Sequence, residues 1–412
     1  MKTLTRATLG LVTLVGLAAC AGSPMPNYGG GPAAAPATQY GSFESWRNDF
    51  RSRALSAGIR ADVFDSAFAG ISMDNEVVRL DGQQAEFSKQ IWEYLDGAVS
   101  SDRIGTGRAK SQEWSRTLDG IESRYGVDKR AVLAIWGMET NYGGFMGNKS
   151  VIGSLATLAY EGRRRSFAEE QLIAALRILQ SGDTSPGNMR GSWAGAMGHT
   201  QFMPTSYLTY AQDYYGDGRR DIWDAGNPTD ALASTAYYLK QNGWVKGQPW
   251  GVEVAVPSGF NYALADEQTK QSVSAWRSLG VTTPSGGSVP DYGTAGMIAP
   301  GGANGPKFLV FNNFSVIKTY NNSTSYAMGV GHLGDRIYGG APFAQSWPRG
   351  DAALSRTQKR ELQERLTALG YDTGGIDGVT GSKTSDAVRR YQRDNGLVAD
   401  GYVNAALLNR LR

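Results

Sequence analysis

The chain has one cysteine and only two histidines in 412 residues. One cysteine cannot close an internal disulfide, and two histidines make a histidine-built zinc or iron centre a poor reading. A strong charge of one sign is missing too. Lys and Arg number 41 against 38 Asp and Glu, for a net +3, which provides no basic field of the kind that draws nucleic acid. The longest apolar run, Leu9 to Ala19, is well short of the roughly 20 residues that span a bilayer. Glycine, by contrast, is abundant at 54 residues and points to many turns and linkers. The length is enough for two or three domains with sizeable cores.

The first residues carry two positive charges, Lys2 and Arg6, and no acid; the apolar run then ends in Leu17-Ala18-Ala19-Cys20. This order resembles the lipobox of bacterial lipoproteins. The resemblance implies that residues 1–19 are a signal peptide and that Cys20 becomes the acylated N-terminus. An ordinary signal peptide with an incidental cysteine is the alternative. Two or three acyl chains would anchor firmly, since each buried CH₂ contributes about 0.8 kcal/mol. Ala21 follows Cys20 where a retention signal would be acidic, which resembles outer-membrane lipoproteins. The expected location is the periplasmic face of the outer membrane, held in its lipid through Cys20. Residues 20–42, rich in Gly, Pro and Ala and without charge, read as a lipidated flexible tether.

Ordered sequence is expected from residue 43. Helical periodicity dominates to about Gln180 and returns after Pro204, where Tyr207, Tyr210, Ala211 and Tyr214 are spaced by three and four. Residues 281–306 read as a Gly/Pro/Ser-rich insertion, and Lys307 to Phe311 as a short strand. Residues 341–354 form a second linker. The last unit, residues 355–412, opens with a capping box of Ser355 and Gln358 ahead of Leu362, Leu366 and Leu369. Gly370 stops that helix, and Asp377-Gly378 and Asp400-Gly401 mark turns. The fold class is mainly α (α+β), with a catalytic domain over 43–340 and a small helical domain at the end.

The segment Ala131 to Gly143 carries the most chemistry. Val132, Ile135, Trp136 and Glu139 fall at i, i+3, i+4 and i+7, so a carboxylate continues an apolar stripe. Gly143-Gly144 is expected to end the helix. An acid there is partly desolvated and lies at the negative end of the helix dipole, and both effects favour its neutral form. A protonated carboxylic acid is what glycosidic cleavage uses on the leaving oxygen. A Glu turned out to water at a frayed helix end fits the periodicity equally well.

Three motifs go further. Trp136 to Gly143, Ser192 to Pro204, and Tyr320-Asn321-Asn322-Ser323 with Tyr326 resemble, in order, signatures of the membrane-bound lytic transglycosylase B family. The match runs over roughly residues 43–335. It implies a lysozyme-like domain with Glu139 as the single catalytic acid and base. It also places Ser192, Gln201, Tyr320, Asn321 and Tyr326 near the scissile bond, with Arg164 or Arg165 meeting carboxylates of the wall. The expected substrate is the peptidoglycan glycan strand, with no cofactor required. With one carboxylate, the substrate's 2-acetamido oxygen can stabilise C1. Glu139 then removes the C6 hydroxyl proton, and that oxygen closes a 1,6-anhydro ring without water. Asp119, Glu113 and Glu122 are other acids that nothing in the sequence distinguishes. Two rivals remain: a hydrolysing muramidase, and an inactive wall-binding lipoprotein.

Asp213 to Asp224 overlaps the calcium-loop pattern, with Asp213 at position 1, Asp217 at position 5 and Gly218 at position 6. Tyr215 occupies position 3. Some members of the family carry calcium here, and Asp230 is then the closing acid; a polar turn with Asp217-Gly218 at its corner is the other reading. The spacing of Leu362-Gln363, Leu366, Leu369-Gly370-Tyr371, Ile376-Asp377-Gly378, Gly381, Thr384, Ala387-Val388 and Tyr391-Gln392 resembles a three-helix peptidoglycan-binding domain. That resemblance implies a module raising the local concentration of wall at the catalytic groove.

Overall fold

The computed structural model describes residues 40–82 and 89–412. The expectations for the signal peptide, Cys20 and all but the end of the tether lie outside the described residues. No helix among the described residues is long and apolar enough to cross a membrane.

Nine helices fill the first part of the chain: α1 Phe43–Ser56, α2 Ala61–Ala67, α3 Asn75–Gly82, α4 Ile91–Ala98, α5 Ser101–Glu113, α6 Ser115–Tyr125, α7 Lys129–Thr140, α8 Val151–Glu161 and α9 Arg165–Ser181. Four start where a hydroxyl or carboxylate takes an orphan N–H at the N-cap: Ser42, Ser100, Asp128 and Ser150 each cap their helix by side chain. Two short strands, β1 Lys149–Ser150 and β2 Arg190–Gly191, pair antiparallel with Lys149 opposite Gly191. This pairing fastens the segment that leads into Ser192 against the start of α8.

Helices α10 (Pro204–Tyr210) and α11 (Thr229–Gln241) follow. The expected helical run past Pro204 therefore stops sooner than its spacing predicted: Ala211 turns to extended backbone, and Tyr214 stands outside the helix. A four-stranded antiparallel sheet comes next, built from β3 Gly251–Val254, β4 Gln271–Ser272, β5 Thr294–Ile298 and β6 Lys307–Val310 in the order β3-β6-β5-β4. Helix α12 (Val273–Ser278) packs on it through Val273 and Trp276. The Gly-rich stretch read as an insertion thus contains β5, whose four residues Ala295 to Ile298 are all buried. A strand buried on both faces shows no alternation, so its period was not visible.

Helices α13 (Asn312–Tyr320) and α14 (Thr324–Ile337) return to the helical body, and α14 packs along α7. Three cores result. One lies around α4–α7, α11, α13 and α14, one around α1, α2 and α8–α10, and one under the sheet. Residues 341–354 contain neither helix nor strand, yet they are strapped down. Phe343 and Trp347 pack on the first core, Glu253 accepts the N–H groups of Ala344 and Gln345 at 2.7 and 2.8 Å, and Arg349 pairs with Asp96 at 2.6 Å.

The C-terminal unit is three helices, α15 Arg356–Ala368, α16 Ser382–Asp394 and α17 Ala405–Leu411, around Leu362, Leu366, Val388, Tyr391 and Leu408. The Ser355–Gln358 capping box is present in both directions.

Candidate active site

Helix α7 is buried on every side from Ala131 to Met138, not along one stripe. Four helices enclose it, which is why its apolar residues outnumber what one face needs. Glu139 is on its last turn and is half-buried. The helix stops at Asn141 and not at the glycine pair: Asn141, Tyr142 and Gly143 have φ of 51°, 61° and 80°. Two consecutive left-handed residues other than glycine cost on the order of 1–2 kcal/mol each, so the surroundings must hold them.

They do so through one small network. The Thr140 hydroxyl donates to the His199 carbonyl at 2.6 Å and accepts the Gly143 N–H at 3.0 Å. The Trp136 indole N–H donates to His199 Nδ1 at 3.1 Å, while His199 Nε2 lies 2.8 Å from the Asp224 carbonyl. An acceptor at Nδ1 and a carbonyl at Nε2 together assign the neutral Nε2–H tautomer. Burial lowers the pKa of His199 and so supports the neutral form. At Gly143 a Cβ would lie 2.6 Å from two atoms of that ring. The Tyr142 hydroxyl donates to the Arg103 carbonyl at 3.0 Å.

Across from the helix end, α14 delivers Tyr326, only 1% exposed, whose hydroxyl donates to Glu139 Oε1 at 2.6 Å. Tyr320, at the end of α13, donates to the Thr200 carbonyl at 2.6 Å. Its ring meets Phe202 and Tyr238 at 5.9 and 5.0 Å. Burial, then the charge of Glu139, pushes both phenols well above the ordinary tyrosine value, so each keeps its proton as a donor.

The other expected residues divide. Ser192 is 4% exposed and its oxygen accepts the N–H groups of Ala194 and Ala196, at 3.3 and 3.0 Å. Gln201 adopts φ 55°, and its amide donates to the carbonyls of Met146 and Gly198 at 3.1 and 2.9 Å. Both belong to the loop that carries His199, and their side chains hold that loop's own backbone. Asn321 follows α13, its carbonyl accepting the Ser323 N–H at 2.7 Å. Arg164 and Arg165 are at the α8–α9 turn. Arg165 donates to the Ala159 and Tyr160 carbonyls at the end of α8, and Arg164 stands 3.5 Å from buried Asp81. These contacts are structural ones that finish a helix and neutralise a buried acid. Of the undistinguished acids, Asp119 bonds Lys129 and Glu113 bonds Lys110, and Glu122 adds its charge near Lys129 and Tyr338.

The aspartates of the acidic loop face backbone N–H groups. Asp213 spends its oxygens on the N–H groups of Gly216, Asp217 and Gly218 at 2.6–3.1 Å. Asp217 accepts from Arg219, and Asp230 from Tyr214 and Asp221, each at 2.9 Å. Tyr215 is 66% exposed. Among the described residues no group of three or more His, Cys, Asp or Glu side chains is arranged to hold a metal ion. The loop's carboxylates accept N–H groups of its own backbone. Reading the sequence also missed His199, Thr140 and Trp136 as partners. Their signal was present only as motif letters, because three-dimensional contact between residues about 60 apart leaves no periodicity.

A mainly helical body with an acid at a buried helix end, opposed by a tyrosine, and a small helical unit appended, defines a class: lysozyme-like enzymes that act on peptidoglycan. The Transglycosylase SLT domain model matches residues 42–335, and the chain belongs to that family; a Putative peptidoglycan binding domain matches residues 355–411. The membrane-bound lytic murein transglycosylase B of Escherichia coli strain K12 is 32% identical over 273 residues, 64% of this chain and 72% of that protein. Among solved structures, SltB3 of Pseudomonas aeruginosa in complex with NAG-anhNAM-pentapeptide is 51% identical, with a TM-score of 0.88 over 90% of this chain and all of that one. Escherichia coli Slt35 in complex with calcium is 29% identical, with a TM-score of 0.61 over 71% of this chain and 92% of that one. The chain is a lytic transglycosylase, a lyase acting on peptidoglycan.

Proposed function

We propose that Glu139 is the sole acid and base of this lyase, cutting between N-acetylmuramic acid and N-acetylglucosamine and leaving 1,6-anhydromuramic ends. The observation that carries the proposal is the 2.6 Å bond from buried Tyr326 to Glu139 Oε1. It fixes the carboxylate's rotamer without adding a second acid. A double-displacement glycosidase uses two carboxylates, and Asp119 and Glu113 are held on surface lysines. Glu139 protonates the leaving oxygen while the acetamido oxygen stabilises C1. The same carboxylate then takes the C6 hydroxyl proton, and that oxygen closes the ring on C1. The complex of SltB3 with an anhydromuramoyl ligand supports this outcome by similarity.

The test is mass spectrometry of products from purified wall, run beside Glu139→Gln. Anhydro ends and a loss of about 10²–10⁴-fold in the variant are expected. Borohydride-reducible muramic ends would instead mean hydrolysis. Residues 20–42 serve as the tether in this reading, and acylated Cys20 holds the enzyme on the periplasmic face of the outer membrane. Cys20→Ala is then expected to move the protein from the membrane to the soluble fraction.

A further inference from the structure

The C-terminal unit contains one small device twice. In the first copy, Gln363 accepts the Gly378 N–H at 2.8 Å, and Asp377 Oδ1 accepts the Val379 N–H and the Gln363 amide at 2.8 and 3.1 Å. In the second, Gln392 accepts the Gly401 N–H at 2.8 Å, and Asp400 Oδ1 accepts the Tyr402 N–H and the Gln392 amide at 3.0 and 2.7 Å. Both glutamines are buried, and both glycines are left-handed, with φ of 75° and 71°. Each clamp uses only Oδ1 of its aspartate, and an apolar side chain stands one residue past the glycine.

The second copy has a ligand, and the ligand is the chain itself. Asp400 Oδ2 accepts the Ala303 N–H at 2.9 Å, and Tyr402 packs on the catalytic core. The gripped segment is Gly301-Gly302-Ala303, small residues with Gly302 at φ 63°. An L-residue's Cβ at Gly302 would lie 2.6 Å from Asp400 Oδ2 and 2.7 Å from the Tyr402 Cβ. A positive φ is the natural region of a D-residue, whose side chain points the other way. The first copy has the same acceptor in the open: Asp377 is exposed, and Val379 and Ile376 are 58% and 39% exposed.

We propose that the Asp377–Val379 turn binds the stem peptide of peptidoglycan, a chain rich in alanine that includes D-amino acids. Asp377 Oδ2 accepts a peptide N–H, and Ile376 and Val379 cover an alanine methyl. The internal contact at Asp400 is the template for it. This rests on the peptidoglycan reading and adds the part of the polymer that the module grips.

The full-length protein is titrated by NMR or calorimetry with a sugar-free pentapeptide, L-Ala–D-Glu–diaminopimelate–D-Ala–D-Ala, and with its all-L isomer. Asp377→Asn keeps the oxygen that closes the turn but replaces the outward acceptor with a donor. It is expected to weaken binding at least about tenfold, the effect of losing one charged acceptor, with an unchanged melting temperature. Asp400→Asn should leave the affinity as it was, and the all-L isomer should bind at least about tenfold more weakly. Equal binding by Asp377→Asn and wild type, equal binding of the two isomers, or no binding at millimolar peptide would each overturn the proposal. The chemical identity of the ends released from purified wall, anhydro or reducible, reports on the cleavage reaction whatever the module binds, so the two readings fail separately.

Discussion

Tyr326 shows how much a single hydroxyl can decide. It is buried and its pKa is high, so it holds its proton and can only donate to Glu139. Tyr326→Phe removes that donor with almost no change in shape. We expect a melting temperature within a few degrees of wild type, since one hydrogen bond contributes about 1 kcal/mol. Turnover should fall about 10²-fold, the scale of losing one placed donor, with KM much less affected. A fall in KM-limited binding alone would mean the tyrosine serves the sugar and not the acid. His332, also on α14, makes the second residue-scale case. Burial and then the Arg336 charge hold its pKa down to about 4, and its ring stacks on Phe343 at 3.8 Å. Unfolded histidine takes up a proton near pH 6.5 while this one does not. Stability is therefore full above that pH and falls as pH drops from 6.5 towards 4, by roughly 3 kcal/mol at most. Thermal melts across that window should show a shallower decline in His332→Gln.

At the scale of an element, the end of α7 is the part that cannot be altered without consequence. Its left-handed turn leans on the His199 ring, and Gly143→Ala pushes a methyl into that ring. We expect activity to be lost and the melting temperature to drop by several degrees, because the ring must leave both Trp136 and Asp224. Asn141→Gly, which relieves a positive φ, should melt at or above wild type. The same element shows what could be read from sequence. The place of Glu139 at a helix end was legible because its motif is contiguous, and the capping box at Ser355 because caps are local. The stop at Asn141 was not, since two glycines nearby are stronger breakers on paper and only the Thr140–His199 contact makes the earlier turn favourable. β5 was hidden because full burial erases alternation, and the acidic loop stayed open to two readings because aspartates in calcium spacing also make good Asx turns. Whether a carboxylate faces a cation or its own N–H groups depends on backbone torsions that composition does not encode.

For the whole molecule, the acidic loop gives a plain expectation. Asp213 and Asp230 accept five N–H groups between them, and among the described residues no group of three or more acids is gathered to hold a cation. Millimolar calcium should leave the melting temperature unchanged; a rise of several degrees would show that the loop rearranges into a cage. Larger in its effect is the strap of residues 341–354. With Phe343 and Trp347 on the catalytic core, Arg349 on Asp96 and Asp400 on Ala303, the terminal unit is bolted to the body at both ends. A gripping surface bolted beside a blade works as a gauge. On the proposed hold of the terminal unit, strands would be cut at a set displacement from it; fragment lengths from intact sacculi should then cluster, and loosening the bolt with Asp400→Asn should blur them.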